Sequence, residues 1–186
     1  MKKAILLLFS VCAMMTSVHA QTSTASQVKM TERTTLSSLE VYDLEGNKVD
    51  IFGKPYLITD YYCRWCRPCI INVKALNEAV NGIADEFSGN PALGNPQGGE
   101  LRIAAIVVGV SSMDKIAAEY NYLAGIGIDA LDIYFVDQGS MNDYLRDEDL
   151  PNVIPTTFYS APDGFRIDKG CKDADFFYRQ LLDMLF

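Results

Sequence analysis

Histidine is almost absent from this sequence, since His19 is the only one among 186 residues. The chain therefore offers at most one imidazole for acid–base catalysis or metal binding, the two roles in which histidine is most common. Beyond residue 19, any proton transfer at an active site falls to carboxylates, thiols or water.

Basic residues are also few. The chain has 16 lysines and arginines against 24 aspartates and glutamates, which gives a net charge of −8. Such an acidic chain lacks the positive surface that binds phosphate backbones or anionic lipids. We expect neither nucleic acid nor an anionic membrane surface as its partner.

A long apolar run is the third feature that the sequence lacks. Residues 4–15 are mainly apolar, and they are preceded by two lysines and followed by a small-residue motif at 18–20, the pattern of a cleaved signal peptide. We assign residues 1–20 to that peptide and expect an exported protein, periplasmic or otherwise extracytoplasmic. Membrane tethering by an uncleaved peptide is the alternative, although Ser10 and Thr16 interrupt the ~18 apolar residues that a span needs.

Cleavage would remove Cys12 and His19 and leave four cysteines, with 14 basic against 24 acidic residues and a net charge of −10. The remaining chain of about 166 residues can bury a proper hydrophobic core, so disulfides are not needed to compensate for small size. We therefore expect the cysteines to have a chemical role.

The rest of the chain predicts one domain. Residues 21–38 are rich in serine and threonine and predict a flexible lead-in. From residue 39 onward, hydrophobic periodicity predicts strands that alternate with helices. The predicted strands are 39–44 and 49–51, which form a hairpin, then 55–62, 101–110, 130–136, 156–159 and 165–168; the predicted helices are 67–87, 113–123, 141–145 and 174–185, with a loop at 89–99. This order predicts an α/β domain, residues 39–186, with a mixed sheet.

Trp65-Cys66-Arg67-Pro68-Cys69 is the most informative segment, because it lies between a predicted buried strand and the longest predicted helix. Two cysteines separated by two residues at a helix start can form a reversible disulfide. Zinc sites use the same spacing, so the pair alone does not decide between the two. A permanent structural disulfide is a third possibility, but so short a loop would constrain the unfolded chain little.

Together with Ile154-Pro155-Thr156 before a later strand, this motif resembles thioredoxin-fold proteins. The leading hairpin and the insert before Pro155 are most similar to the exported TlpA-like thiol-disulfide oxidoreductases. The resemblance implies a thioredoxin-like three-layer fold with a mixed central sheet flanked by helices, a redox-active pair of cysteines, no cofactor, and a monomer. Its partners would be client proteins with cysteines or disulfides and a membrane or soluble electron donor. Relatives of this kind are mostly reductants, so we expect a reductase in cell redox homeostasis.

Three residues are the expected catalytic groups. Cys66 lies at a helix N-terminus, where free amide groups and the helix dipole favour a thiolate, so we expect it to be the nucleophile, with a pKa below the ordinary value of about 8.5. Cys69 would then resolve the mixed disulfide. Asp60 matches the buried carboxylate that thioredoxins place beneath the resolving cysteine, which implies a raised pKa and proton exchange with Cys69. The alternative for Asp60 is a strand edge, where it would meet solvent or a backbone amide.

The resemblance also implies a surface that binds the client. Its expected members are Trp65, Arg67, Pro68, Ile154, Pro155 and Thr156. Trp65 would cover the sulfur pair, although a core position is the alternative, and Arg67 would add positive charge. The bond before Pro155 is implied to be cis, so that an extended client segment adds as a strand beside Ile154.

Cys63 and Cys171 depart from the family pattern. A second redox pair between them is possible if their Cα atoms lie within about 7 Å, and the alternative is that both are small buried hydrophobic residues. A copper or zinc carrier that uses Cys63, Cys66 and Cys69 is the rival function, although we assign no metal site. A non-catalytic thioredoxin-like binding domain is the other rival, whereas the cysteine motif of peroxide-reducing enzymes of this fold is missing.

Overall fold

A computed structural model of the chain describes residues 36–51, 57–86, 102–110, 112–161 and 164–185. The strands within these ranges are β1 (Glu40–Tyr42), β2 (Lys48–Asp50), β3 (Leu57–Tyr62), β4 (Arg102–Val108), β5 (Asp132–Val136), β6 (Thr156–Ala161) and β7 (Gly164–Lys169). The helices are α1 (Arg67–Glu86), α2 (Met113–Gly125), α3 (Gln138–Asp147) and α4 (Ala174–Leu185). The predicted signal peptide and the predicted loop at 89–99 lie outside the described residues.

The strands form one mixed sheet in the order β2-β1-β5-β4-β3-β6-β7. The three central neighbours β3, β4 and β5 run parallel, and the other pairings are antiparallel. A mixed sheet in an α/β domain is therefore confirmed. The parallel strands are joined through helices, as parallel neighbours require.

Both faces of the sheet are covered, which gives the three layers. In β4 the side chains of Ile103, Ala105 and Val107 belong to the core that contains α1, α2 and α4. The alternate side chains of Ala104, Ile106 and Val108 belong to a second core, on the opposite face of the sheet, which also contains α3. Burial on both faces explains why this strand is a continuous apolar run in the sequence.

Strand β3 lies in the middle of the sheet, between β4 and β6. Asp60 is paired across the sheet with Ala105 on one side and Thr157 on the other. One residue further, Tyr61 is paired with Thr156, the first residue of β6. The end of β3, the start of α1 and the start of β6 therefore meet at one edge of the sheet.

Several boundaries differ from the predicted ones. Strand β4 ends at Val108 rather than at residue 110, because Gly109 takes a left-handed conformation with φ 88°. Helix α3 covers ten residues rather than the predicted 141–145. The helix begins earlier than predicted because Asp137 caps its first turn. The Asp137 carboxylate accepts a hydrogen bond of 2.9 Å from the Ser140 N–H.

The remaining shifts are of one to two residues at most ends. Strands β1 and β5 are shorter than predicted and β2 is shifted by one residue, whereas α2, β6 and β7 are longer, and α4 has the predicted bounds. Residues 55–56, 87 and 101, predicted to belong to neighbouring elements, lie outside the described ranges. No helix in those ranges has both the length and the apolar character to cross a bilayer.

The last residues of the predicted lead-in pack against the domain. Leu36 is buried in the core on the α3 face. The Tyr144 hydroxyl donates a hydrogen bond of 3.0 Å to the carbonyl of Ser37, and the Ser37 hydroxyl donates to Glu148. The flexible character of residues 21–35 stays a prediction.

Candidate active site

Cys66 and Cys69 form a disulfide at the start of α1, with their Cα atoms 5.3 Å apart. Cys66 immediately precedes the helix, and its carbonyl accepts a hydrogen bond of 3.1 Å from the Ile70 N–H. The Cys69 N–H points at the Cys66 sulfur, 3.3 Å away. A backbone donor is therefore already directed at the sulfur that would carry negative charge after reduction.

The segment around the disulfide is exposed although the sulfur pair is not. Cys66 and Cys69 are both buried, whereas Arg67 and Pro68 are exposed. Trp65 is 78% exposed, so the alternative of a core aromatic at this position is wrong. Trp65 directly precedes Cys66 in the chain, and most of its side chain is accessible.

Asp60 is fully buried in the middle of the sheet, so the alternative of a strand edge is also wrong. Its Oδ2 accepts a hydrogen bond of 2.9 Å from the side-chain amide of Asn72. Its Oδ1 has no hydrogen-bond partner among the described residues. Burial raises the pKa of Asp60 to about 8, against the opposing effect of hydrogen bonds from Asn72 and Thr157. The carboxyl group is thus mostly protonated at neutral pH, and it gains or loses its proton at pH values close to neutral.

Asn72 was missed by the sequence analysis and joins three parts of the site. It lies in α1, one turn after Cys69, and it is fully buried. Its amide also lies 3.3 Å from the Thr157 hydroxyl, and its carbonyl oxygen accepts a hydrogen bond of 2.7 Å from the Lys172 N–H. An asparagine within the apolar face of the predicted helix was the signal, because a buried amide needs polar partners.

The segment 170–172 is hydrogen-bonded to two parts of the site. The Ile154–Pro155 peptide bond is cis, the form that the resemblance implied. The Gly170 N–H donates a hydrogen bond of 2.9 Å to the carbonyl of Pro155. The thiol of Cys171, next in the chain, donates to the carbonyl of Pro68 at 3.2 Å. The segment therefore contacts both the cis-proline turn and the turn that carries the disulfide.

Cys63 and Cys171 are both free thiols in this structure, so the second redox pair is not formed here and stays a prediction. They lie in different surroundings. Cys63 is buried, and burial raises the pKa of its thiol to about 11. Cys171 is exposed beside Pro68, so the alternative of a small buried hydrophobic residue is wrong for Cys171.

Arg64 anchors the turn that precedes the disulfide. Its guanidinium lies 3.3 Å from the Glu119 carboxylate of α2 and 4.2 Å from the centre of the Tyr122 ring. Fifty-five residues separate Arg64 from Glu119, and their proximity depends on the packing of α2. No sequence motif pointed to it.

Within the described ranges, no three side chains of metal-binding type lie together in a candidate site. Cys63, Cys66 and Cys69 accordingly do not form such a group while the disulfide is closed. The features that the structure does bring together are a disulfide, a buried acid and a cis-proline turn.

Comparisons with known proteins agree with this architecture. No protein-family model matches the sequence, and no match was found among the curated proteins. Solved structures do match. The thioredoxin domain of a thiol-disulfide oxidoreductase from Bacteroides vulgatus has a TM-score of 0.57 at 14% identity, over 82% of this chain and 96% of that one. A thiol:disulfide interchange protein of the thioredoxin family from Chlorobium tepidum has a TM-score of 0.57 at 16% identity, over 84% of this chain and 99% of that one.

A third similar structure contains copper. The ScoI protein of Arabidopsis thaliana, solved with copper bound, has a TM-score of 0.57 at 12% identity, over 80% of this chain and 96% of that one. Similarity at this level of identity shows the fold and not the activity. The expected thioredoxin-like fold is therefore confirmed.

Proposed function

We propose that this protein is an exported thiol-disulfide oxidoreductase that reduces disulfides in client proteins. The observation that carries the proposal is the Cys66–Cys69 disulfide at a helix N-terminus, with the Cys69 N–H directed at the Cys66 sulfur. A thiolate at that position is stabilised by backbone dipoles and is a good nucleophile near neutral pH.

The first step is attack on the client. In the reduced protein the Cys66 thiolate attacks one sulfur of a client disulfide, so that a mixed disulfide forms and the other client sulfur leaves as a thiolate. The exposed indole of Trp65 contacts the client here. The client backbone lies along Ile154 in an extended conformation, where a strand can be added beside the cis-proline turn.

The second step releases the client. Asp60 accepts the proton of the Cys69 thiol, and the Cys69 thiolate attacks the Cys66 sulfur. The Cys66–Cys69 disulfide forms, the second client sulfur leaves as a thiolate, and two electrons have passed to the client. A protonated Asp60 is consistent with the disulfide state, in which burial holds its pKa at about 8. A membrane or soluble donor of two electrons must then reduce the disulfide again.

Reduction of insulin by dithiothreitol tests the activity. We expect the wild-type protein to accelerate the reaction, and the Cys66→Ser variant to leave it at the rate of dithiothreitol alone. The Cys69→Ser variant should accumulate a mixed disulfide with the client, because the nucleophile is present and the resolving thiol is not. A wild-type rate equal to that of dithiothreitol alone would contradict the proposal.

A copper carrier is the rival candidate, since one similar structure was solved with copper bound. Thiolates are suitable ligands for copper(I). We expect the reduced protein to bind no stoichiometric copper in competition with a copper(I) chelator. Tight copper binding together with an inactive protein in the insulin assay would favour the carrier.

Export is part of the proposal and has its own test. Residues 1–20 have the charged start, apolar centre and small-residue end of a signal peptide. We expect the mature protein, recovered from an extracytoplasmic fraction, to begin at Gln21. Intact Met1 on a cytoplasmic protein would contradict export but not the redox activity.

A further inference from the structure

The peptide group between Pro68 and Cys69 lies inside the short loop that the disulfide closes, and it is engaged at both ends. Its N–H is directed at the Cys66 sulfur, 3.3 Å away. Its carbonyl oxygen accepts a hydrogen bond from the Cys171 thiol, with 3.2 Å between sulfur and oxygen. One peptide group therefore connects the thiol of Cys171 to the sulfur of Cys66.

The residues on both sides of Cys171 are fixed to the domain through their backbone. The Gly170 N–H donates a hydrogen bond of 2.9 Å to the carbonyl of Pro155. The Lys172 N–H donates one of 2.7 Å to the side-chain carbonyl of Asn72. The position of Cys171 therefore depends on bonds that do not involve its own side chain, and a substitution there can remove the thiol while those bonds stay.

Two hydrogen bonds in series strengthen one another, because each polarises the group that makes the next. A donor on the carbonyl oxygen draws electron density from the amide nitrogen, so the N–H becomes a better donor. The effect is small while Cys66 is in the disulfide and its sulfur is uncharged. It is largest when Cys66 is a thiolate, because hydrogen bonds to charged acceptors are the strong ones.

The other charged or titratable side chains around the disulfide do not bond to this peptide group. They are Arg64, Arg67, Lys172, Asp173, Asp60 and Cys63. Arg64 is paired with Glu119 of α2. Asp60 and Cys63 are mostly uncharged at neutral pH, since burial raises their pKa values to about 8 and about 11. In the part of the chain that the structure describes, Cys171 supplies the one side-chain donor to the Pro68 carbonyl.

We propose that Cys171 is a positioning residue for the redox pair. Its thiol donates to the Pro68 carbonyl and thereby strengthens the hydrogen bond from the Cys69 N–H to the Cys66 thiolate. The inference rests on the proposed function, and it adds to it a residue that stabilises the nucleophile. Cys171 acts here as a hydrogen-bond donor, so the role requires no disulfide with Cys63 and no bond to the client.

Alkylation of Cys66 in the reduced protein measures its thiolate without any client. The wild-type, Cys171→Ala and Cys171→Ser proteins are reduced and exposed briefly to iodoacetamide between pH 4 and pH 9. Tandem mass spectrometry of the digested proteins then reports the labelling of Cys66 separately from that of the other cysteines. Alanine removes the donor, whereas serine replaces the thiol, a weak donor, with a hydroxyl.

The two variants should shift the pH midpoint of Cys66 labelling differently. We expect the midpoint of Cys171→Ala to lie about 0.3 pH units above that of the wild type, or about twofold less thiolate at low pH, because the strengthening is ~10–30% of a hydrogen bond to a charged group. The midpoint of Cys171→Ser should lie at or below that of the wild type. Equal midpoints for the wild type and Cys171→Ala would overturn the proposal. A Cys171→Ser midpoint as high as that of alanine would also overturn it, since the donor would then be irrelevant.

The Cys69 amide gives a second readout, which a merely structural role of Cys171 would not move in this pattern. In the magnetic resonance spectrum of the isotope-labelled, reduced protein, its amide proton should shift upfield in Cys171→Ala, because a weaker hydrogen bond leaves the proton more shielded. The shift should be restored in Cys171→Ser. A Cys69 resonance that is the same in the wild type and Cys171→Ala would contradict the proposal.

The insulin assay separates this proposal from the proposed function. If the wild-type protein accelerates insulin reduction while the wild type and Cys171→Ala have equal labelling midpoints, the role of Cys171 is wrong and the proposed function stands. If the midpoint rises in Cys171→Ala and returns in Cys171→Ser while the wild-type protein does not accelerate the reaction, the proposed function is wrong and the hydrogen-bond role of Cys171 stands.

Discussion

Asp60 combines complete burial with only one hydrogen-bonded carboxyl oxygen among the described residues. A buried carboxyl group costs little free energy while it is protonated and uncharged. In the disulfide state neither sulfur has a proton to transfer to Asp60, so Asp60 can keep its own proton. Reduction introduces a thiol at Cys69, one helical turn before Asn72, whose side chain is hydrogen-bonded to Asp60. The state of the sulfur pair and the charge of Asp60 are therefore expected to be coupled.

The oxidised protein should lose stability as the pH rises, and Asp60→Asn should reduce that loss. The pKa of Asp60 is 3.8 for the free side chain and about 8 in the folded protein. Below the lower value both states hold the proton. Between the two values only the folded state holds it, so the free energy of unfolding falls by up to about 1.4 kcal/mol per pH unit. Urea unfolding of both proteins between pH 4 and pH 8 measures the slopes, and parallel curves would contradict burial of the acid.

Asn72→Ala should shift the pH dependence of disulfide exchange to higher pH. The hydrogen bond from Asn72 lowers the pKa of Asp60, so its loss raises that pKa further above 8 and leaves less carboxylate to deprotonate Cys69. A hydrogen bond to a charged group is worth about 1.5–3 kcal/mol, which corresponds to a shift of about one pH unit or more. The measurement is the rate of client release from the mixed disulfide against pH. Asn81→Ala is the control, because Asn81 is exposed on the same helix and bonds to Asp129 instead; a common midpoint for both variants would reject this role of Asn72.

At the scale of elements, the segment 170–172 connects the cis-proline turn, the disulfide turn and Asn72. Gly170 has φ 78°, a conformation that favours glycine, and its N–H is bonded to Pro155. Three consecutive residues thus hold three parts of the site in place. At Gly170 the constraint is the backbone conformation and not the space for a side chain, because a Cβ there would meet no atom within 4 Å.

Gly170→Ala and Gly82→Ala should change stability in opposite directions. Alanine at Gly170 would have to adopt a left-handed conformation, at a cost of about 1–2 kcal/mol. Gly82 lies within α1, and a Cβ there would make ordinary contact with Tyr178, 3.8 Å away. The same substitution should therefore stabilise the helix by about 0.8–1 kcal/mol. Urea unfolding of the oxidised proteins gives both values; a stabilising Gly170→Ala would contradict the backbone argument.

The elements that the sequence predicted well are those whose pattern of apolar residues is contained in the element itself. The apolar run of β4 predicted a strand because both of its faces are buried, and the spacing of apolar residues in α4 predicted its bounds. Helix α3 was predicted too short because its first turn is polar, and the Asp137 cap is a shorter signal than a periodic pattern. Ends of strands depend on partners in the sheet, which periodicity does not reveal.

The residues of the site fall into the same two groups. Those in short sequence motifs were predicted, and those that depend on distant partners were not. The cysteine pair and Pro155 lie in short motifs, and a resemblance to known proteins gave their arrangement. Asn72 and Arg64 act through partners far away in the sequence, such as Lys172, which is 100 residues from Asn72. A cavity of about 190 Å³ is lined by Cys63 and Trp65 together with residues of β3, β4, α3 and the 152–154 segment. Contacts of this kind exist only in the folded chain, so the sequence alone did not predict them.

At the scale of the whole molecule, the fold places opposing effects on the two redox states. The Cys69 N–H and the start of α1 stabilise a thiolate and thus the reduced state. The buried acid, neutral in the disulfide state, becomes costly when a thiolate forms close by, and this stabilises the oxidised state. The balance of the two decides whether the protein gives electrons to clients or takes them.

A reductase requires the oxidised state to prevail in that balance, so we expect the oxidised protein to be more stable to urea than the reduced one. Folding and reduction form a thermodynamic cycle. Whatever stabilises the folded disulfide over the folded dithiol, relative to the unfolded chain, lowers the reduction potential by ~30 mV for every 1.4 kcal/mol. The difference in unfolding free energy and the potential measured against glutathione must therefore agree. Asp60→Asn should narrow the difference, because the amide removes the acid whose ionisation opposes the thiolate. A reduced protein more stable than the oxidised one would instead indicate an oxidant, and would overturn the direction of electron flow while leaving the thiol chemistry intact.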